Sequence, residues 1–240
     1  EELPVRLRRK PWARPELAAC PFFVDHPEEN RGRWREQFPR EGLLYLELGC
    51  GKGGFLAAQA AAHPQINFLG IDLKSEVLAL AKRKVEAALL AQGRPADRVD
   101  NVLLLAHDIE RLHLILGEEE RVDRVYINFC NPWPKPGHHK HRLTHTRQLS
   151  AYRRWMGEGA ELWFKTDDRD LFEDTVEFYL PQAGYRVLYI TRDLHASGFP
   201  ENVPTEHEEM FSAQGIPIRF LIARPEPGWA PREMKKEGRE

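Results

Sequence analysis

Short apolar runs recur along the chain, separated by longer segments of mixed polarity. Each run has four to six residues and is rich in aliphatic and aromatic side chains, which is typical of strands buried on both faces of a sheet. The pattern therefore predicts seven strands. They cover Leu43–Leu48, Ile66–Ile71, Val102–Leu105, Val122–Ile127, Glu161–Lys165, Tyr185–Ile190 and Ile218–Ala223.

Helical patterns fill several of the segments between these runs. One apolar stripe has spacings of three and four residues, as in a helix about four turns long. It consists of Leu78, Ala81, Val85, Ala88 and Leu89. Further helices are predicted over Phe55–Ala62 and Arg169–Leu180. This alternation favours an α/β fold, with a mostly parallel seven-stranded sheet and helices on both faces, whose ligands bind beyond the carboxyl ends of the strands.

The two ends of the chain lack this rhythm. Residues 1–40 contain six prolines and a basic, aromatic cluster, so we predict an N-terminal arm over 1–40 that orders on a partner. The α/β domain is predicted over 41–224, and a C-terminal extension over 225–240. The cluster in the arm is formed by Arg6, Arg8, Arg9, Lys10 and Trp12.

Several classes of protein are not expected from this sequence. No apolar run approaches the ~18 to 20 residues that cross a bilayer, and the first ten residues are too charged for a signal peptide. The three cysteines, Cys20, Cys50 and Cys130, include no CxxC pair, so neither a disulfide framework nor a structural zinc site is predicted. We expect a reduced, cytoplasmic protein without a membrane partner.

A glycine-rich turn follows the first predicted strand. Gly49, Gly51 and Gly53 lie between that strand and a helix of small residues, where a ligand can approach the backbone and the free N–H groups of the helix. The spacing matches neither the dinucleotide fingerprint nor the P-loop. Glycines alone are weak evidence of a site.

Three acids strengthen the prediction because they lie at the ends of three consecutive strands. Glu47 precedes the glycines and suits a cationic group such as a sulfonium methionine. Asp72 is placed to accept from ribose hydroxyls, and Asp108 from an adenine amino group. This set fits S-adenosylmethionine better than NAD. The alternative is that each acid caps a helix or pairs with an arginine.

Positive charge is concentrated after the fourth predicted strand. From Asn128 to Gly157 there are six Lys and Arg residues and no Asp or Glu, although the net charge of the whole chain is -2. This asymmetry indicates an anionic partner, with a solvated basic face as the alternative. Four histidines also lie here, but no Cys or carboxylate accompanies them, so we predict no metal. They are His138, His139, His141 and His145.

Together these motifs resemble those of the bacterial tRNA (guanine-N(7)-)-methyltransferase family, and the resemblance covers nearly the whole chain. They are Glu47-x-Gly-x-Gly-x-Gly53, Asn131-Pro-Trp-Pro-Lys135, the histidine-lysine-arginine run, Lys165-Thr-Asp167 and Thr205-Glu-His-Glu208. The resemblance implies a Rossmann-like class I methyltransferase fold and S-adenosylmethionine as the methyl donor. It also implies tRNA as the partner, with methyl transfer to guanosine 46 of the variable loop.

The resemblance also implies roles for individual residues. Asn131, Asp167 and Glu208 are the implied catalytic residues. The implied cofactor residues are Glu47, Gly49, Gly51, Gly53, Asp72, Asp108 and Asn131. The implied substrate residues are Lys135, Asp167, Thr205, Glu206, His207 and Glu208. The implied RNA contacts are Gly137, His138, His139, Lys140, His141 and Arg142.

The chain departs from the family pattern at two places. The family usually has Asp at the position of Asn131, and arginines at Gly137 and His141. Because nitrogen-7 of guanine carries a free lone pair, methylation needs alignment rather than deprotonation, and we expect activity to be retained. Asp167 and Glu208 would then bind the base and stabilise the positive charge that develops on it.

Other interpretations remain open. Asn131-Pro132-Trp133 partly resembles the turn of exocyclic-amine methyltransferases, and a non-catalytic RNA-binding relative is also compatible with Asn131. Thr205 and Glu208 have the spacing of a capping box, and Asp167 or Asp168 could cap the following helix. Whether the protein is a monomer or a homodimer is left undecided.

Overall fold

The computed structural model describes residues 10–229, and these residues form one mixed sheet with helices on both faces. All seven predicted strands are present, and the sheet has eight because a two-residue strand, Phe23–Val24, joins its edge. The strands are β1 (Phe23–Val24), β2 (Leu44–Leu48), β3 (Asn67–Asp72), β4 (Val102–Ala106), β5 (Val122–Asn128), β6 (Met156–Thr166), β7 (Tyr185–Thr191) and β8 (Arg219–Pro225).

The helices also agree with the predicted patterns. The apolar stripe lies on a 17-residue helix. The segment predicted over Arg169–Leu180 is helical, with a π-helical turn over Thr175–Tyr179 in its middle. The α-helices are α1 (Ala13–Ala18), α2 (Gly54–Ala62), α3 (Ser75–Ala91), α4 (Thr146–Tyr152), α5 (Arg169–Asp174), α6 (Leu180–Gln182), α7 (Leu194–Ser197) and α8 (Glu206–Ala213). Short 3₁₀ helices cover Pro27–Asn30, Trp34–Gln37, Ala96–Arg98, Ile109–Leu114 and Pro136–His141.

The strand order locates the ligand-binding edge of the sheet. The order is β1-β4-β3-β2-β5-β6-β8-β7, and β8 alone runs opposite to the other seven strands. The chain leaves the central strand β2 toward β3 and β4, then returns to β5 on the other side. The carboxyl ends of β2 and β5 therefore flank the switch point, where open α/β sheets bind their ligands.

Alternate residues of each strand point into two separate cores. In β2, Leu44, Leu46 and Leu48 pack on the face covered by α4 and α5, whereas Tyr45 packs on the face covered by α1, α2 and α3. Apolar side chains thus cover both faces of the sheet, which leaves the ends of the strands as the places for polar residues. No helix within residues 10–229 is long and apolar enough to span a membrane.

Residues 10–40 differ from the predicted arm, because they pack on the domain. Ala13 and Leu17 of α1 are buried against α3, and Trp34 is fully buried, with its indole N–H donating to the carbonyl of Ile115 at 2.7 Å. The structure therefore does not support an arm over residues 10–40 that is separate from the domain, and ordering on a partner stays a prediction. Arg6, Arg8, Arg9 and the extension beyond Trp229 lie outside the described residues.

Candidate active site

Three predicted acids meet along the ends of neighbouring strands. Glu47 lies near the end of β2, Asp72 ends β3, and Asp108 follows β4 by two residues. Because β2, β3 and β4 are adjacent and parallel, their carboxyl ends share one edge. We call this group, Glu47, Asp72 and Asp108, the acidic half of the site.

The glycine turn leaves open space beside these acids. Gly49, Gly51 and Gly53 all have positive φ, between 52° and 76°, a conformation that favours glycine. A Cβ at Gly53 would lie 2.5 Å from that of Ala81, so the turn also requires a close approach to α3. At Gly51, by contrast, a Cβ would meet no described heavy atom within 4 Å. The turn is thus packed against α3 at Gly53 and borders open space at Gly51.

Asp72 and Asp108 are held by backbone N–H groups. Asp72 accepts from Gly51 at 3.0 Å and from Lys74 at 3.1 Å, one bond to each carboxylate oxygen. Asp108 accepts from Glu110 at 3.0 Å and caps the helix Ile109–Leu114. The capping alternative is therefore correct for Asp108, but both side chains stay partly exposed and keep free lone pairs for a ligand.

Glu47 is the most unusual acid of the three. It is 3% exposed; its Oε1 accepts from the Asn128 amide at 3.1 Å, and its Oε2 is buried with no hydrogen-bond partner among residues 10–229. Burial raises the pKa of Glu47 to about 8, although the bond from Asn128 and the charge of Lys165 oppose that shift. A buried carboxylate oxygen without a partner is a feature expected of a site for a cationic group.

The motif after β5 forms a tight, strained turn. Oδ1 of Asn131 accepts from the backbone N–H of Trp133 at 3.0 Å, and Trp133 has a φ of 45°. Phe129, at the start of the turn, has a φ of 53°. Positive φ at bulky residues is rare and persists where surrounding bonds enforce it. Lys135 ends the turn, and its side chain is exposed.

The predicted RNA-contact residues divide into exposed and buried ones. Gly137, His138 and Lys140 are exposed on the 3₁₀ helix Pro136–His141. His139 is partly buried, and Nδ1 of His141 lies 2.7 Å from Glu110 while its ring packs against Trp133. Arg142 is 1% exposed and its guanidinium is buried beneath the turn, so the structure does not support its prediction as an RNA contact.

An ion pair that the motifs did not reveal lies at the end of β6. Lys165 is 4% exposed, and its Nζ donates to Glu208 at 2.8 Å, to Asn202 at 2.7 Å and to the carbonyl of Val203 at 2.8 Å. Burial lowers the pKa of Lys165, and the charge of Glu208 opposes that shift. We call the segments that follow β5 and β6, together with α5 and α8, the paired half, after its two ion pairs. Lys165–Glu208 is buried, and in Arg142–Asp174 the arginine is buried and the aspartate is 31% exposed.

This geometry changes the role of Glu208. Its side chain is fully buried and accepts from Lys165, from Asn202 at 2.6 Å and from the N–H of Thr205. Thr205 in turn accepts from the N–H of Glu208 at 3.0 Å, which completes a capping box on α8. The structure does not bring Glu208 to a surface where it could contact a base, so its predicted catalytic contact is not supported.

The remaining substrate candidates are dispersed. Asp167 is partly exposed, and its carboxylate makes no hydrogen bond within the described part of the chain, whereas Asp168 caps α5. His207 is exposed and stacks on Phe129 with ring centroids 5.8 Å apart. Glu206 pairs with Lys84 of α3, and a Cβ added at Gly54, the first residue of α2, would lie 3.3 Å from its carboxylate, so Glu206 lies beside the glycine turn.

The sequence contains signals for two residues that the motifs left without a role. Lys165 is a lysine that ends an apolar strand, and Asn128 is a polar residue that ends the strand beside Glu47. A charged or amide side chain closing a buried strand needs a partner at the sheet edge, and this signal could have identified both. No group of three or more His, Cys, Asp or Glu suited to a metal ion occurs among residues 10–229.

Solved structures that resemble this fold include methyltransferases. The 16S rRNA methyltransferase KamB has a TM-score of 0.57 and 17% identity, covering 85% of this chain and 95% of its own. A structure described as an antibiotic-related methyltransferase has a TM-score of 0.55 and 18% identity, covering 83% and 94%. At such identities the similarity concerns the fold alone. It confirms the predicted Rossmann-like methyltransferase architecture.

Relatives of known name are much more similar in sequence. Residues 41–221 match the family described as "Putative methyltransferase". The tRNA (guanine-N(7)-)-methyltransferase of Ruminiclostridium cellulolyticum is 54% identical over 219 residues, which cover 91% of this chain and 92% of the relative. That of Clostridium perfringens strain SM101 is 53% identical over 221 residues, covering 92% and 99%. The chain therefore belongs to the tRNA (guanine-N(7)-)-methyltransferase family.

Proposed function

We propose that this protein transfers a methyl group from S-adenosylmethionine to nitrogen-7 of guanosine 46 in the variable loop of tRNA. The observation that carries the proposal is the sheet edge, where the acidic half adjoins the Asn131–Lys135 turn and Asp167. The sequence identity to relatives of that name supports the choice of base and of RNA. A tRNA substrate also agrees with the expected cytoplasmic location, which stays a prediction.

The residues of the acidic half fit S-adenosylmethionine. Glu47 offers a buried carboxylate oxygen without a protein partner, and Gly51 borders open space. Asp72 and Asp108 keep lone pairs for hydroxyl and amino groups. When bound, the cofactor supplies a methyl group activated by a positively charged sulfur. Glu47, Gly49, Gly51, Asp72 and Asp108 would hold it.

The protein's contribution to catalysis is alignment and electrostatics. Nitrogen-7 attacks with its own lone pair, and the guanine ring becomes cationic, so no general base is required. Asp167, whose carboxylate is uncommitted, is the group best suited to accept from the base and stabilise the developing charge. Lys135 and the exposed residues of the 3₁₀ helix Pro136–His141 would bind the RNA backbone. Asn131 shapes the turn through its bond to Trp133.

The test is methyl transfer from labelled S-adenosylmethionine to unmodified tRNA transcripts carrying guanosine or adenosine at position 46. We expect label in 7-methylguanosine only with guanosine at 46. Asp167→Ala should lower kcat by at least about tenfold, whereas Asp170→Ala, the same change on the exposed side of α5, should not.

Three outcomes would count against the proposal. A methylated amino group would indicate an exocyclic-amine methyltransferase. If cofactor and tRNA bind but the tRNA gains no label, the protein would be a non-catalytic relative. Normal turnover of Asp167→Ala would remove this carboxylate from the mechanism.

A further inference from the structure

Arg142 is a buried arginine that contacts the strained turn of the site. Its Nε donates to the carbonyl of Pro132 at 2.7 Å, and its Nη1 donates to Asp174 at 2.6 Å and to the hydroxyl of Tyr179 at 3.0 Å. The side chain is 2% exposed. Its charge is therefore used inside the protein and not at the surface.

The carbonyl that Arg142 holds lies inside the Asn131–Lys135 turn. Pro132 stands between Asn131, whose side chain bonds to the N–H of Trp133, and Trp133 itself, whose φ is 45°. Such a conformation requires bonds that over-determine it. Arg142 and Asn131 supply two of them, one on each side of the peptide bond between Pro132 and Trp133.

The other end of the guanidinium is fixed to the helix that follows Asp167. Asp174 ends α5, and Tyr179 ends the π-helical turn after it. Thr144 and Thr175 add a buried hydroxyl pair at 2.7 Å between the same two segments. Asp168 caps the start of α5, so Arg142 connects the Asn131–Lys135 turn to the helix that directly follows Asp167.

We propose that Arg142 is a positioning residue, which locks the Asn131–Lys135 turn against α5 and so sets the relative placement of Asn131 and Asp167. The proposal deepens the proposed function and rests on it for its kinetic readout. A lysine keeps the charge but, as a single point donor on a flexible stem, cannot hold the carbonyl and Asp174 in the same fixed geometry.

The first experiment compares Arg142→Lys with Lys140→Ala in the full chain. Arg142→Lys should lower kcat for tRNA methylation by about tenfold or more and leave the salt dependence of tRNA binding unchanged. Lys140→Ala should lower the slope of log K against log salt by about one. If Arg142→Lys instead lowered the slope and spared kcat at saturating tRNA, Arg142 would be a phosphate contact and the proposal would be overturned.

A second readout does not depend on activity. Hydrogen exchange of peptides spanning residues 129–143 should become about tenfold faster in Arg142→Lys, and Asp174→Asn should lower kcat and speed exchange in the same direction. Unchanged exchange in both variants overturns the proposal. If the wild type does not methylate tRNA, the proposed function fails, and exchange alone decides the role of Arg142.

Arg153→Lys is the matched control. Arg153 also holds backbone carbonyls, those of Gly184 at 2.6 Å and Glu226 at 2.7 Å, but at the opposite edge of the sheet. This variant should change neither kcat nor exchange in 129–143. Equal effects of Arg153→Lys and Arg142→Lys would indicate general destabilisation and would overturn the proposal.

Discussion

In the acidic half of the site, Asp72 and Asp108 bond to backbone N–H groups of adjacent turns, whereas the paired half depends on side chains that are distant in sequence. Lys165 and Glu208 are 43 residues apart, and Arg142 and Asp174 are 32 apart. The first arrangement needs only strands in register. The second requires α5 and α8 to dock beside the sheet before the partners meet. The acidic half should therefore tolerate substitution better than the paired half.

The largest effect is expected from Lys165→Met. Glu208 would keep a fully buried carboxylate without its cation, and breaking such a pair costs about 3–5 kcal/mol. Urea unfolding followed by tryptophan fluorescence measures this loss. The double variant Lys165→Met/Glu208→Gln should recover much of the stability because no uncompensated charge remains.

The control for this comparison is Lys84→Met. Lys84 pairs with Glu206, and the two side chains are 35% and 49% exposed, so its loss should cost less than about 1 kcal/mol. A similarly small loss for Lys165→Met would mean that the paired half does not depend on its buried charges.

The next largest effect is expected from Glu47, the buried acid at the switch point. Because the pKa of Glu47 is raised to about 8 from its usual 4.5, the folded state holds a proton that the unfolded state releases between those values. Stability should therefore fall as pH rises through this window, by about 1.4 kcal/mol per pH unit, or about 2 kcal/mol between pH 6 and 7.5. The difference in unfolding free energy between wild type and Glu47→Gln, measured across that range, reports this contribution alone.

A difference that stays constant with pH would contradict this prediction. It would mean that Glu47 is ionised in the folded protein at neutral pH, with a partner in solution. The acidic half would then resemble the paired half, and the contrast between them would be smaller than the structure indicates.

The contrast also explains which parts of the molecule could be predicted from sequence. The seven strands, the helix Ser75–Ala91 and the alignment of Glu47, Asp72 and Asp108 follow from local apolar periodicity and from the parallel register it implies. The strand Phe23–Val24 was missed because two residues carry no periodicity. The burial of Arg142 and Glu208 could not be predicted because the charge of a residue does not reveal its burial, which depends here on partners 32 to 43 residues away.

The smallest effect concerns the exposed edge of the paired half, where the family pattern usually has arginine and this chain has Gly137. A Cβ at Gly137 would meet no heavy atom within 4 Å among the described residues, and its φ is outside the left-handed region, so an arginine fits without strain. Gly137→Arg should steepen the slope of log K against log salt for tRNA binding by about one. Gly137→Ala, which changes the backbone without adding charge, should keep the wild-type slope. Equal slopes for all three proteins would mean that the 3₁₀ helix Pro136–His141 faces away from the phosphates and that its cations form a solvated basic face. The anionic partner would then have to bind across the acidic half or elsewhere on the sheet edge.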